Sequence, residues 1–327
     1  MKVLIWAALA SLVLTLVAGL IVIPLLKKIK AGQTVLKYVE EHKQKNGTPT
    51  MGGLFFIVPS VLVFVIFGGI KGRLATLAMT IGLAFMAVGF IDDFIKVKFR
   101  RNEGLKAYQK IIFQFSIAAI AGVFSYLNGI TFFHIPFSSI SVDLKWWAIP
   151  IVALIFIAIT NSVNLTDGLD GLAGSVSAVY LISITALILA QISALKQMNI
   201  NVLEYKKLNL LSASLVGGLL GFLVYNTNRA KVFMGDTGSL ALGGFIGAIS
   251  IFSSNSFFIP IIGITFVISS ISVIVQVAYF KRTKKRVFLM APLHHHFQLK
   301  GYSESKITFC YSLVTAVFGA LSVLAYL

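Results

Sequence analysis

Apolar residues fall into ten blocks along this chain, at about 3–26, 52–70, 74–91, 111–128, 146–162, 172–190, 209–225, 238–254, 257–280 and 307–327, and polar residues gather in the links between them. The pattern predicts an all-α integral membrane protein of about ten transmembrane helices, forming a single polytopic domain over residues 1–327. The first block lacks a small-residue cleavage pattern, so a retained helix is expected there and not a signal peptide.

Charge placement then orients the chain. Of its 28 Lys and Arg, 21 fall in links that share one side of the alternating blocks and seven fall on the other. The positive-inside rule makes the rich side cytoplasmic, with loops at about 27–51, 92–110, 161–171, 226–237 and 281–306, and puts both termini outside the cytoplasm. The formal net charge of +17 is therefore a topology signal with attraction to anionic headgroups added, and no nucleic-acid partner is expected. Composition agrees: 57% of residues are hydrophobic and 12% charged, against about twice that charge in a soluble domain. The one cysteine, Cys310, lies in the last apolar block and excludes an intrachain disulfide.

Candidate chemistry is confined to the basic side. In Asn161-Ser-Val-Asn-Leu-Thr-Asp-Gly-Leu-Asp-Gly171, the residues Asn161, Asn164, Asp167 and Asp170 recur every third position. On a helix that spacing drifts about 60° per step and keeps four polar groups on one broad face, as a ligand or metal site needs. A polar connector leading into a capped helix has the same composition. Asp92 and Asp93 are adjacent at the expected end of the third block, where the helix dipole disfavours negative charge; Lys96 offsets part of it, as an ordinary surface ion pair would. Gly235-Asp-Thr-Gly-Ser239 opens the eighth block, where free backbone amides can cradle phosphate around the hard-cation ligand Asp236; a simple N-cap is the plainer reading. Gly47-Thr-Pro-Thr-Met-Gly-Gly53, beside Lys45, is turn chemistry that could hold phosphate or a base, although short Gly/Pro loops usually just connect. For His294, His295 and His296, hydrogen bonding to phosphate or sugar fits better than zinc, because consecutive helical positions point about 100° apart. Five of the six Asp lie on this one face in three links. Oxygen ligands without sulfur suit Mg²⁺, and Mg²⁺ with lysines suits a diphosphate.

Five stretches in register carry a resemblance: Lys-x-Gly-Thr-Pro-Thr-Met-Gly-Gly (45–53), Asp-Asp-Phe-x-Lys (92–96), Asn-x-x-Asn-Leu-Thr-Asp-Gly-Leu-Asp-Gly (161–171), Val-Phe-Met-Gly-Asp-Thr-Gly-Ser (232–239) and Ala-Pro-Leu-His-His-His-Phe (291–297). Together they resemble the phospho-N-acetylmuramoyl-pentapeptide-transferase family of bacterial polyprenyl-phosphate phosphoglycosyl transferases. The resemblance implies a multi-pass protein of the bacterial inner membrane. It would convert UDP-N-acetylmuramoyl-pentapeptide and undecaprenyl phosphate, with Mg²⁺, into the first lipid-linked peptidoglycan intermediate and UMP. The bilayer, both substrates and a second copy in a homodimer are the partners expected. By the same resemblance Asp236 would ligate Mg²⁺ together with Asp167, and Asp92 would act as base or metal-side carboxylate beside Asp93. Lys45, Asp170 and Phe233 would frame the uridine, while Asn161, Asn164, Asp167 and Asn226 would line the nucleotide–metal region. The three histidines would face the sugar-phosphate end, and Thr50, Lys96, Lys110 and Gln276 would be further contacts. One departure is Gln298, where the family pattern has Glu. The competing readings are a sister enzyme transferring N-acetylglucosamine 1-phosphate, disfavoured by residues 291–301, and a secondary transporter, disfavoured because transport sites sit near the midplane between repeated halves.

Overall fold

The computed structural model describes residues 1–28, 47–99, 101, 103–138, 140–198 and 201–326. Its long helices are α1 (Lys2–Lys28), α3 (Arg73–Phe99), α4 (Ala107–Leu127), α5 (Ala148–Thr166), α6 (Leu172–Gln197), α7 (Leu203–Asn226), α8 (Gly235–Phe252), α10 (Ile264–Thr283) and α12 (Glu304–Val323). Shorter ones are α2 (Gly53–Ile66), α9 (Ile259–Ile262) and α11 (Leu293–Leu299); a hairpin of β1 (Phe132–His134) and β2 (Ser141–Asp143) joins α4 to α5. Among the described residues nine helices are long and apolar enough to cross a membrane, which makes this a multi-pass membrane protein.

The second expected span is shorter than its apolar run. α2 has 14 residues and ends where Gly68 turns the chain through a left-handed conformation into the short Gly69–Lys71 turn. At 1.5 Å per residue it reaches about 21 Å, less than a bilayer core. The ninth span is likewise broken at Gly263 into α9 and α10. The expected loops are partly helical: α3 continues to Phe99, α5 to Thr166, α8 begins at Gly235, and α11 lies within 281–306.

α8 is the axis of the bundle, almost wholly enclosed by its neighbours. It packs most intimately on α3, where the contact is reciprocal: Phe245 of α8 lies over Gly82 of α3, and Phe85 of α3 lies over Gly244 of α8. A Cβ at either glycine would fall inside the opposing ring, so the small residues set how closely the axes approach. That closeness matters because the polar ends of the same two helices carry the acidic residues. At its other end α3 is capped from outside: both oxygens of Glu204, on α7, accept the backbone N–H groups of Arg73 (3.0 Å) and Leu74 (2.8 Å). Losing a cap of this kind costs about 1 kcal/mol. Glu204→Ala should therefore lower unfolding stability in detergent by about that amount; an unchanged denaturation midpoint would show the cap to be idle.

Candidate active site

Asp92 and Asp93 of α3 and Asp236, in the first turn of α8, bring one carboxylate oxygen each within 4.8 Å of one another. Asp92 and Asp93 are buried and Asp236 is half-buried. Asp93 Oδ2 accepts from Thr237 N (2.9 Å) and Thr237 Oγ1 (2.7 Å), so α3 supplies the N-terminal cap of α8. Asp236 is thereby released from capping. Its Oδ1 accepts from Asn164 Nδ2 (2.7 Å), and its Oδ2 meets Lys96 Nζ (3.1 Å) and Lys110 Nζ (2.8 Å). Asp92 Oδ2 forms an ion pair with Lys96 Nζ (2.6 Å), Asp92 Oδ1 accepts from Leu105 N (2.9 Å), and the Asp92 carboxyl also lies against that of Asp236. Because α3 runs on past this pair, the dipole at its end, which fades within a turn, is not the main cost. The cost is three carboxylates in one enclosed place, answered by two ammonium groups.

The flanking chain seals this centre. Phe233 N donates to Pro49 O (2.8 Å), Gly52 N to Phe233 O (2.9 Å) and Gly53 N to Met234 O (3.0 Å). The 47–53 loop is thus laced to the segment entering α8, with Thr50 buried against Gly235 and the Phe233 ring left half-buried. Gly53 packs directly on the Gly238 backbone, which leaves no room for a side chain. Lys45, expected beside this loop, lies outside the described residues.

The 161–171 stretch is not one helical face. α5 ends at Thr166, so Asn161 and Asn164 are helical while Asp167 and Asp170 lie in the following turn. Asn164 reaches both Asp236 and Ser239 Oγ (2.8 Å). Asn161 Nδ2 turns instead to Gln114 Oε1 (2.8 Å) and Ile157 O (2.8 Å). Asp170 Oδ2 accepts from Ala230 N (3.0 Å), and its N–H donates to Glu304 Oε2 (3.0 Å). Asn226 clamps backbone on both sides, accepting from Gly171 N (3.1 Å) and donating to Val232 O (2.8 Å). Asp167 stands outside the compact acidic group, yet burial pushes its carboxyl up to about 8, with the Asp236, Asp93 and Asp170 charges acting in the same direction.

The histidines sit on α11, whose side is pressed to the same turn: a methyl on Gly168 would fall 2.9 Å from His295 Nε2 and closer still to His294. His294 is fully buried, and burial with His295 beside it holds its imidazole well below the usual range, hence neutral. His295 Nδ1 pairs with Gln298 Oε1 (3.1 Å), and Gln298 Nε2 with Glu304 Oε1 (3.3 Å). His296 Nδ1 accepts from Leu289 N (3.1 Å), and Gln276 Oε1 from Val287 N (3.1 Å) and Phe288 N (2.9 Å). Gln114 and Glu304 have no place in the motifs of the sequence, and Thr237 and Ser239 stand in the 235–239 motif without a role of their own. Gln114 carries a signal, an amide inside the apolar part of its helix; Glu304 looks like any solvated residue.

The arrangement can gather anions: a carboxylate group of oxygen donors, two lysines that can exchange partners, and a helix N-terminus beneath them. Those donors fit Mg²⁺ in kind: three carboxylate oxygens lie within 4.8 Å of one another, and Asp92 Oδ2 is buried without a hydrogen-bond donor among the described residues.

Known proteins match this chain over nearly its whole length. The model of glycosyl transferase family 4 matches residues 74–254, and signature 1 of phospho-N-acetylmuramoyl-pentapeptide-transferase matches residues 45–57. A phospho-N-acetylmuramoyl-pentapeptide-transferase of Caldanaerobacter subterraneus subsp. tengcongensis is 42% identical over 314 residues, 96% of this chain and 95% of the relative. Proteins of the same name from Clostridioides difficile (39% identity, 98% of this chain, 97% of the relative) and Desulforamulus reducens (43%, 97% and 94%) are equally alike.

The raised Asp167 carboxyl makes stability depend on pH. The folded protein holds a proton that the unfolded chain releases above the ordinary carboxylate range, so this contribution is complete in acid and is lost as pH rises to about 8. Asp167→Asn cannot titrate. The wild-type melting temperature should fall more steeply than that of the variant between pH 5 and 8; parallel curves would contradict the shift.

Proposed function

We propose that this chain, which belongs to glycosyl transferase family 4 and to the phospho-N-acetylmuramoyl-pentapeptide-transferases, transfers phospho-N-acetylmuramoyl-pentapeptide from its UDP conjugate to undecaprenyl phosphate and releases UMP. The observation that carries the reading is the Asp92–Asp93–Asp236 group with Lys96 and Lys110 on it. In bond terms, an oxygen of the lipid phosphate attacks the sugar-bearing phosphorus; that P–O bond forms and the P–O bond to UMP breaks. Both reactants are anions that repel each other. Lys96 also pairs with Asp92, so turning toward phosphate costs it only part of its pairing, and Asp236 Oδ2 keeps one ammonium when the other leaves; at the phosphate they neutralise developing charge. A phosphate monoester is mostly ionised near neutral pH, so Asp92 accepts a proton only from the remaining acid form. Asp93 keeps the α8 N-terminus in place by its Thr237 bonds.

Asp92, Asp93 and Asp236 would hold Mg²⁺, with Asp167 on the same side; bound there, the ion supplies charge neutralisation to the diphosphate. Asp170 and Phe233, with Lys45, frame the uridine, and His294, His295 and His296 meet the sugar-phosphate end. The site faces the cytoplasm of the bacterial inner membrane, with 1–327 as one domain, α2 as a short tenth crossing, both termini outside and a homodimer as the assembly; the distribution of Lys and Arg supports this orientation.

Purified protein with undecaprenyl phosphate should release UMP from the muramoyl-pentapeptide donor in Mg²⁺ and not in EDTA. Release from UDP-N-acetylglucosamine alone would move the protein to the sister reaction, and release from neither donor would refute the proposal. Asp236→Asn should lower kcat by at least about 100-fold while the protein stays monodisperse; wild-type turnover in that variant would remove Asp236 from the chemistry.

A further inference from the structure

Gln114 lies on α4 one helical turn beyond Lys110, so the two share a face. Lys110 reaches Asp236, and Gln114, fully enclosed, reaches Asn161. Asn161 Nδ2 has two hydrogens, and both are used: one on Gln114 Oε1 and one on Ile157 O, each at 2.8 Å. Turning that amide over would set Asn161 Oδ1 against Ile157 O and against Gln114 Oε1, so the backbone carbonyl fixes which atom is the donor and Gln114 Oε1 takes its second hydrogen. What Asn161 keeps for a ligand is an acceptor alone, on a half-buried side chain one turn before Asn164, which itself bonds Asp236.

Gln114 pays for this. Its Nε2 is buried and has no partner among the described residues. An amide with an idle buried N–H is worse for stability than Leu or Met in the same volume. Packing gives no reason for a glutamine here; the bond to Asn161 does.

We propose that Gln114 is a positioning residue for phosphosugar transfer: it holds the Asn161 amide so that the carbonyl oxygen, and not the N–H, meets a hydrogen-bond donor group of the bound UDP conjugate. The inference rests on the transfer reaction proposed above, and acts through Asn161 without contact between Gln114 and substrate.

The test is a double-mutant cycle of Gln114→Leu and Asn161→Ala, with Gln114→Glu as the conservative variant. It is read as kcat/KM for the UDP donor and as donor affinity by calorimetry. Gln114→Leu should lose about 10-fold or more, and the double variant should be no worse than Asn161→Ala alone, because both remove one interaction. Gln114→Glu should recover most of the loss, since a carboxyl oxygen accepts the same N–H. Wild-type values for Gln114→Leu, multiplied losses in the double variant, or no recovery with Glu would each overturn the inference while leaving the transfer reaction standing. Should the Leu variant fail to give monodisperse protein, Gln114→Met completes the same cycle. If the wild type binds the donor without releasing UMP, the transfer reaction fails and the cycle on affinity still decides Gln114; if it neither binds nor turns over, both fall.

Discussion

Three carboxylates share one enclosed corner of a helical bundle, and each would be costly there without a partner. Lys96 and Lys110 converge on the outer oxygen of Asp236, while backbone N–H groups of Thr237 and Leu105 hold Asp93 and Asp92. Much of the fold can be traced to that requirement. α3 must lie close to α8, which the Gly82–Phe245 and Gly244–Phe85 contacts permit. α4 must begin where Lys110 reaches across, and α5 must end so that Asn164 meets Asp236. A charge group this expensive does not stabilise the protein better than apolar packing would, so its use lies in what the lysines and carboxylates do when phosphate arrives.

A division of labour follows from where hydrogen bonds are spent. Asp170, Asn226 and Gln276 use side-chain oxygens on backbone N–H groups of neighbouring segments. They fix the 167–171 turn, the entry to α8 and the residues before α11 relative to one another. Asp236, Asn164 and the two lysines bond among themselves, and side-chain pairs of that kind can be exchanged for ligand contacts without unravelling the chain. Glu304 belongs with the first set, since it links the Asp170 turn to Gln298 and through it to His295. A Glu at position 298 would face Glu304 as a like charge; the Gln found here donates to it instead.

The helical class, the span order and the acidic inventory were legible because bilayer thickness and the segregation of charge act over long stretches of sequence. Geometry within the polar links was less so. Regular spacing suggested that Asn161, Asn164, Asp167 and Asp170 share a helix face, but two glycines in the link let the chain leave the helix after Thr166. Asp236 could be read as its own helix cap because nothing in sequence shows that Asp93, 143 residues earlier, already fills that role. The apolar run at 52–70 matched a full span by hydropathy, which does not register the turn at Gly68. The first and last of these are local turns that hydropathy and spacing do not register, and the second is a contact from a distant part of the chain.

The most direct measurement is a structure of the protein with the UDP conjugate and Mg²⁺ bound, read at Lys96 Nζ and Lys110 Nζ. The account predicts that at least one of these nitrogens leaves Asp236 Oδ2, now at 3.1 and 2.8 Å, for an oxygen of the diphosphate lying beside the three carboxylates. A donor bound elsewhere, with both lysines still on Asp236, would contradict it.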